Sequence, residues 1–287
     1  MVQERLYFAL NCFLIAAIVN FAAWRLGFYQ LPIRKPVPKL PFIYLVTVFG
    51  IFFLIELILL PMITIGWLYW STGVFPAHHI KLDAVTKGWI NLTAIYLCLA
   101  GIGGFFFISS SQAKQSVLGA EGMKGIKQVV RDFFMGSITW FLSYPLVLLI
   151  SQTIAIALYY IYHGPHVEQV AVKQLKEAFE HPVLFWTTAI SVIFIVPFIE
   201  ELLFRGYLLR WLRGYFRRGA AIAVSAFIFA AFHFALSQGV DNIELLCSLF
   251  TLACFLGFLY ERQQSLWAPI GLHSTFNAIS ILMIFLT

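Results

Sequence analysis

The chain has 287 residues, of which 61% are hydrophobic and only 11% charged, and its mean hydropathy is +0.87. Such a composition excludes an ordinary soluble domain and identifies an integral membrane protein. The formal charge of +6 does not indicate a nucleic-acid partner, because the basic residues are scattered through short loops rather than gathered on one soluble face.

Apolar runs that reach the roughly 20 residues needed to cross a hydrocarbon core predict an all-α, polytopic transmembrane helical bundle of about eight spans. A transmembrane barrel would show alternating segments of about ten residues instead. The first run, about 6 to 24, is expected to be an uncleaved span, since its positive flank (Arg25, Arg34, Lys35 and Lys39) follows it. Spans at about 41 to 69, 89 to 109 and 135 to 161 follow, and Pro61 and Pro145 are expected to kink the second and fourth. Between the third and fourth, the segment from Gly119 to Asp132 mixes apolar residues with Lys124, Lys127 and Arg131, as an interfacial amphipathic helix or a solvated connector would. The last four spans are expected at about 183 to 212, with Pro197 inside it, 219 to 236, 243 to 260 and 266 to 286. Residues 1–134 would then be N-terminal helices and connector, and 135–287 a helical core with the polar motifs between 198 and 277, in one integrated membrane domain. Cys12, Cys98, Cys247 and Cys254 fall in apolar runs as small hydrophobes, with no disulfide framework.

Loops that alternate along this order carry thirteen Lys and Arg on one side and five on the other, and Arg205 lies within a span. The positive-inside rule predicts both termini outside the cytoplasm and the basic loops within it.

Three polar clusters interrupt the late spans: Glu200-Glu201 with Arg205, Phe229 followed by His233, and His273 followed by Asn277. A carboxylate at bilayer depth costs several kcal/mol unless it is paired or wetted, so an intramembrane acidic pair marks a functional site. At about 1.5 Å per residue from the cytoplasmic ends, Glu200 lies roughly 18 Å deep, His233 roughly 21 Å, and His273 and Asn277 roughly 10 and 16 Å. That common band favours one centre. Glu201 and Arg205 share a helix face at i and i+4 and can pair, whereas Glu200 is rotated about 100° away and is the better candidate for chemistry. A carboxylate can take a proton from water, and an imidazole opposite it can hold that water or pass its proton on. Donors from His273 and Asn277 can stabilise an oxyanion. These ingredients fit amide hydrolysis by activated water.

Glu200-Glu201-x-x-x-Arg205, Phe229-x-x-x-His233 and His273-x-x-x-Asn277, in this order on successive late helices, resemble the three motifs of the CPBP intramembrane proteases. These are the type II CAAX endopeptidases or Abi proteins, related to the Ras-converting enzyme. The resemblance covers roughly residues 183 to 287, and Pro197 and Phe204-Arg205-Gly206 extend it. It implies an endopeptidase in the bilayer that acts on peptide or membrane-protein substrates, including prenylated Cys-a-a-X tails. Glu200 and His233 would activate water, His273 and Asn277 would form the oxyanion site, and Glu201 and Arg205 would support them. No cofactor is required in that family mechanism.

Other readings stand beside this one. Glu200, His233 and His273 are donor types for zinc, although a metal leaves Asn277 unexplained. A non-catalytic scaffold or immunity factor of the same fold, or a proton-coupled transporter, would use the same residues otherwise; the chain shows no repeats of the transporter kind. Glu56 is a further membrane-embedded acid without a visible partner. His78, His79, His163, His166 and His181 fall in loops, and His163-Gly164-Pro165-His166 reads as a turn.

Overall fold

The computed structural model describes residues 2–33, 38–73, 82–122, 124–162 and 169–286; His78, His79 and the His163 to His166 turn lie outside them. Among the described residues there is no strand. In chain order the helices are α1 (Val2–Arg25), α2 (Phe42–Thr72), α3 (Ala84–Ile108), α4 (Ser111–Leu118), α5 (Ile126–Tyr162), α6 (Val170–Glu177), α7 (Pro182–Leu212), α8 (Arg218–Ala231), α9 (Asn242–Gln263) and α10 (Trp267–Leu286), and a 3-10 stretch (Leu236–Asp241) leads into α9.

Among the described residues, seven helical stretches are long and apolar enough to cross a membrane: α1, α2, α3, α5, α7, α9 with its 3-10 lead, and α10. The expected eighth span is cut short. α8 has 14 residues, about 21 Å of helix against a hydrocarbon core of about 30 Å. Hydropathy does not register the stop, because Phe232 and Phe234 keep the run apolar. The backbone tightens there, with the His233 amide donating to the Ala230 carbonyl (2.9 Å) and the Phe234 amide to that of Ala231 (3.2 Å).

The segment from Gly119 to Asp132 is not a separate helix. Gly119 (φ +86) and Gly125 (φ +105) take a left-handed backbone that disfavours other residues, and a Cβ on Gly119 would lie 2.3 Å from the Gln264 carbonyl oxygen. Helix resumes at Ile126 as the opening turns of α5, whose 37 residues span about 55 Å and overrun the hydrocarbon thickness. The short helix before it, α4, starts where Ser110 Oγ accepts from the Ala113 amide (3.2 Å).

Prolines inside α2 and α7 are absorbed by a change of hydrogen-bond register. Each sits just after a π turn, Pro61 after Ile55–Leu59 and Pro197 after Ser191–Ile195. A five-residue register lets the chain continue past a residue that has no N–H. Pro145, by contrast, is carried within α5 with no π turn beside it. A further π stretch in α7, Leu202–Leu209, begins directly after Glu201 and is buried throughout.

α10, which carries His273 and Asn277, lies against α5 at near-backbone contact. A Cβ on Gly271 would fall 2.1 Å from the Phe133 carbonyl oxygen, and one on Gly136 would fall 1.9 Å from that of Ala268. Small residues are what permit such an approach between membrane helices. Gly271→Ala is therefore expected to lower stability by about 3 kcal/mol through overpacking, read as a fall in the melting temperature in detergent; a melt equal to wild type would show that the two helices have room to give.

The basic loops gather at one end of the bundle. Ser116 Oγ and Arg210 Nη2 both donate to the Pro38 carbonyl (2.8 Å each), Arg262 Nε donates to the Phe28 carbonyl (2.7 Å), and Arg213 and Arg218 flank Glu261 at 3.3 and 3.1 Å.

Candidate active site

Pro197 determines the local geometry of the first motif and, through it, the setting of Asn277. Within the π turn the Val196 amide donates to the Ser191 carbonyl; in that register the next carbonyl, Val192, would be matched with Pro197, which has no N–H. Asn277 Nδ2 supplies the missing donor at 2.8 Å. The amide of Asn277 retains a second N–H for other use.

Glu200 and Glu201 separate as their helical phase predicts. The Glu201 side chain is fully buried, whereas Glu200 is 22% exposed and faces a cavity of about 530 Å³ that is also lined by His233, His273 and Asn277. Glu201 Oε1 accepts from Arg205 Nη1 (3.0 Å) and from His273 Nδ1 (2.9 Å). The expected Glu201–Arg205 pair is thus present, and His273 joins it as a third member. Arg205 Nη2 donates to the Ala253 carbonyl on α9 (3.2 Å), and its guanidinium lies 4.6 Å from the centroid of the Phe229 ring. Phe229 also contacts the rings of His233 (4.8 Å) and His273 (6.0 Å), so one aromatic side chain separates and supports the charged groups.

The two imidazoles converge on Glu200. His233 Nε2 is 3.9 Å from Oε1, and His273 Nε2 is 3.7 Å from Oε2. These separations are too long for direct hydrogen bonds and suit a water shared between the groups. The other nitrogen of each ring is committed. His233 Nδ1 lies 2.9 Å from the Phe229 carbonyl, and because a carbonyl only accepts, Nδ1 carries the hydrogen and the neutral ring presents a lone pair at Nε2. His273 Nδ1 donates likewise to the Glu201 carboxylate. Among the described residues no group of three His, Cys, Asp or Glu side chains is placed to hold a metal ion.

His233 stands in the turn beyond α8 rather than within a continuing helix. That turn is held by Asn242, which is 3% exposed: its Oδ1 accepts from the Ala235 amide (3.0 Å), and its Nδ2 donates to the carbonyls of Ala235 (2.7 Å) and Gly239 (2.9 Å). Asn242 and the neighbouring Gln238 were invisible to motif reading. Their only sequence signal is a polar run, Ser237-Gln238-Gly239 to Asp241-Asn242, between two apolar stretches. Glu56 lies apart from the site, in the α2 π turn. Its partner is the thiol of Cys98, 3.9 Å away, rather than a basic residue.

No curated protein and no solved structure matches the chain. One family model does: residues 182–279 match the family described as Rce1-like, type II CAAX prenyl endopeptidase Rce1-like. That match, about a third of the chain, runs from the start of α7 to just past Asn277, so every converging side chain lies in the part of this multi-pass membrane protein that is similar to the Rce1-like type II CAAX prenyl endopeptidases.

Proposed function

We propose that the protein is an intramembrane endopeptidase in which Glu200 and His233 activate water and His273 and Asn277 stabilise the oxyanion. The observation that carries this reading is the convergence of two imidazole Nε2 atoms on the two oxygens of one cavity-facing carboxylate. Water held between Glu200 and the His233 lone pair gives its proton to the carboxylate as its oxygen attacks the peptide carbonyl. The carbonyl oxygen becomes negative and accepts from the remaining N–H of Asn277 and from His273 Nε2 when that nitrogen carries a proton. The Glu201 carboxylate on the far side of the ring balances that charge. The carbon–nitrogen bond then breaks, and the proton held by Glu200 passes to the leaving amine.

The substrates are peptides or membrane proteins, and prenylated Cys-a-a-X tails are the class named by the matched family's description. Membranes carrying wild-type or Glu200→Gln protein at equal abundance, compared by N-terminal proteomics, are expected to differ by new N-termini found only with wild type. Identical sets of N-termini would sink the reading and favour a scaffold.

On the positive-inside rule we infer that the basic loops face the cytoplasm and that both termini lie outside it. An N-terminal epitope tag is then expected to be removed by protease added to intact cells; full protection of the tag would reverse the orientation.

A further inference from the structure

Resting on the hydrolytic reading above, we infer that the cavity takes a stretch of polypeptide free of acidic side chains by its backbone, and that Gln238 is the side chain that pairs with that backbone. Gln238 is 3% exposed and lines the same cavity as Glu200 and His233. Its Oε1 is buried and meets no hydrogen-bond partner. An acceptor buried in that condition costs about 1–3 kcal/mol, and nothing in the packing asks for it: Leu245, Leu249 and Leu252 line the same cavity, and a further leucine would suit their company. A carboxamide offers an acceptor and two donors, the complement of a peptide unit.

The amide is held in place before any substrate arrives. The backbone N–H of Gln238 donates to the Ala235 carbonyl (3.0 Å), Gly239 turns the chain at φ +51, and Asn242 ties Ala235 to Gly239 through its side chain. Ala235 is two residues from His233, so one braced turn presents both the water-activating imidazole and the carboxamide to the cavity. Preorganisation of this kind lowers the ordering penalty of binding. Charge completes the case. Among the described lining residues there is no lysine or arginine, so an acidic side chain in the cavity would meet the Glu200 carboxylate with no cation to offset it.

The test uses the full-length protein in detergent and an internally quenched peptide ending in a farnesylated Cys-Val-Ile-Met as the probe. Gln238→Met, nearly isosteric but without hydrogen-bonding capacity, is expected to raise KM about tenfold and leave kcat within about twofold. Its melting temperature is expected to stay at or above that of wild type, because the variant no longer buries an unpaired acceptor. Should Gln238→Met not fold, Gln238→Asn, which withdraws the same carboxamide by one methylene, is expected to move KM in the same direction. An unchanged KM, or a lowered melting temperature as the sole effect, overturns the inference while Glu200-dependent cleavage by wild type stands. Absence of any Glu200-dependent cleavage by wild type overturns the hydrolytic reading and this inference together.

Discussion

Arg205→Ala is expected to lose about 3–5 kcal/mol of stability, the range for breaking a buried ion pair by removing one partner. Both Arg205 and Glu201 are fully buried, so the glutamate left behind has no solvent and keeps only the His273 Nδ1–H as a partner. More than the pair is lost. Arg205 joins α7 to α9 through the Ala253 carbonyl and rests against Phe229 on α8, so three helices share the one guanidinium. Arg205→Lys keeps the charge but offers a single point donor in place of a planar fork, and it is expected to fall between wild type and alanine. Unfolding in mixed micelles measures both; a loss below about 1 kcal/mol for alanine would mean that the pair contributes no more than a surface ion pair does.

Glu200→Gln is expected to behave in the opposite way. The side chain faces the cavity and has no hydrogen bond shorter than its 3.7 and 3.9 Å approaches to the imidazoles, so an isosteric amide should leave the melting temperature close to wild type. It cannot take a proton, and cleavage is expected to fall about 10³-fold, within the span typical of a lost general base. A well-folded Glu200→Gln protein that cleaves at the wild-type rate would remove Glu200 from the chemistry. Adjacent glutamates thereby acquire separable signatures: substitution of Glu200 is read in turnover, and removal of Arg205, the partner of Glu201, in stability.

How far the sequence discloses this arrangement depends on what leaves a compositional trace. Charged and polar residues in apolar runs are conspicuous because burying them is unfavourable, and Glu200, His233, His273 and Asn277 all stand in such runs. Helical phase was enough to separate the two glutamates, since 100° of rotation survives small changes of geometry. The end of α8 left no trace, because the turn through Phe232 and Phe234 is as hydrophobic as the helix it ends. Nor did the π turns: Ile55–Leu59 and Ser191–Ile195 stand before prolines that suggest a kink equally well, and Leu99–Gly103 and Leu202–Leu209 have no proline following them. Asn277 is the clearest case. Its part in an oxyanion site was inferred from residue type, whereas its bond to the Val192 carbonyl follows only from the register around Pro197. Gln238 leaves no trace, because a glutamine in an inter-helix loop is ordinarily solvated, and only its burial makes it unusual.

The shortness of α8 bears on where the water for hydrolysis comes from. A chain that stops about 21 Å into a membrane of about 30 Å leaves the polar backbone of residues 232 to 242 at a depth where lipid cannot satisfy it. Irregular backbone is tolerated at that depth only when enclosed by protein or facing a wet cavity. On the proposed reading, the turn that ends α8 is enclosed in part by Asn242 and otherwise opens onto the cavity lined by His233, which would admit the water that this imidazole needs. Delivery of the proposed nucleophile and termination of the helix would then be one structural event, and lengthening α8 to a full span is expected to dry the site before it disturbs the side chains around Glu200.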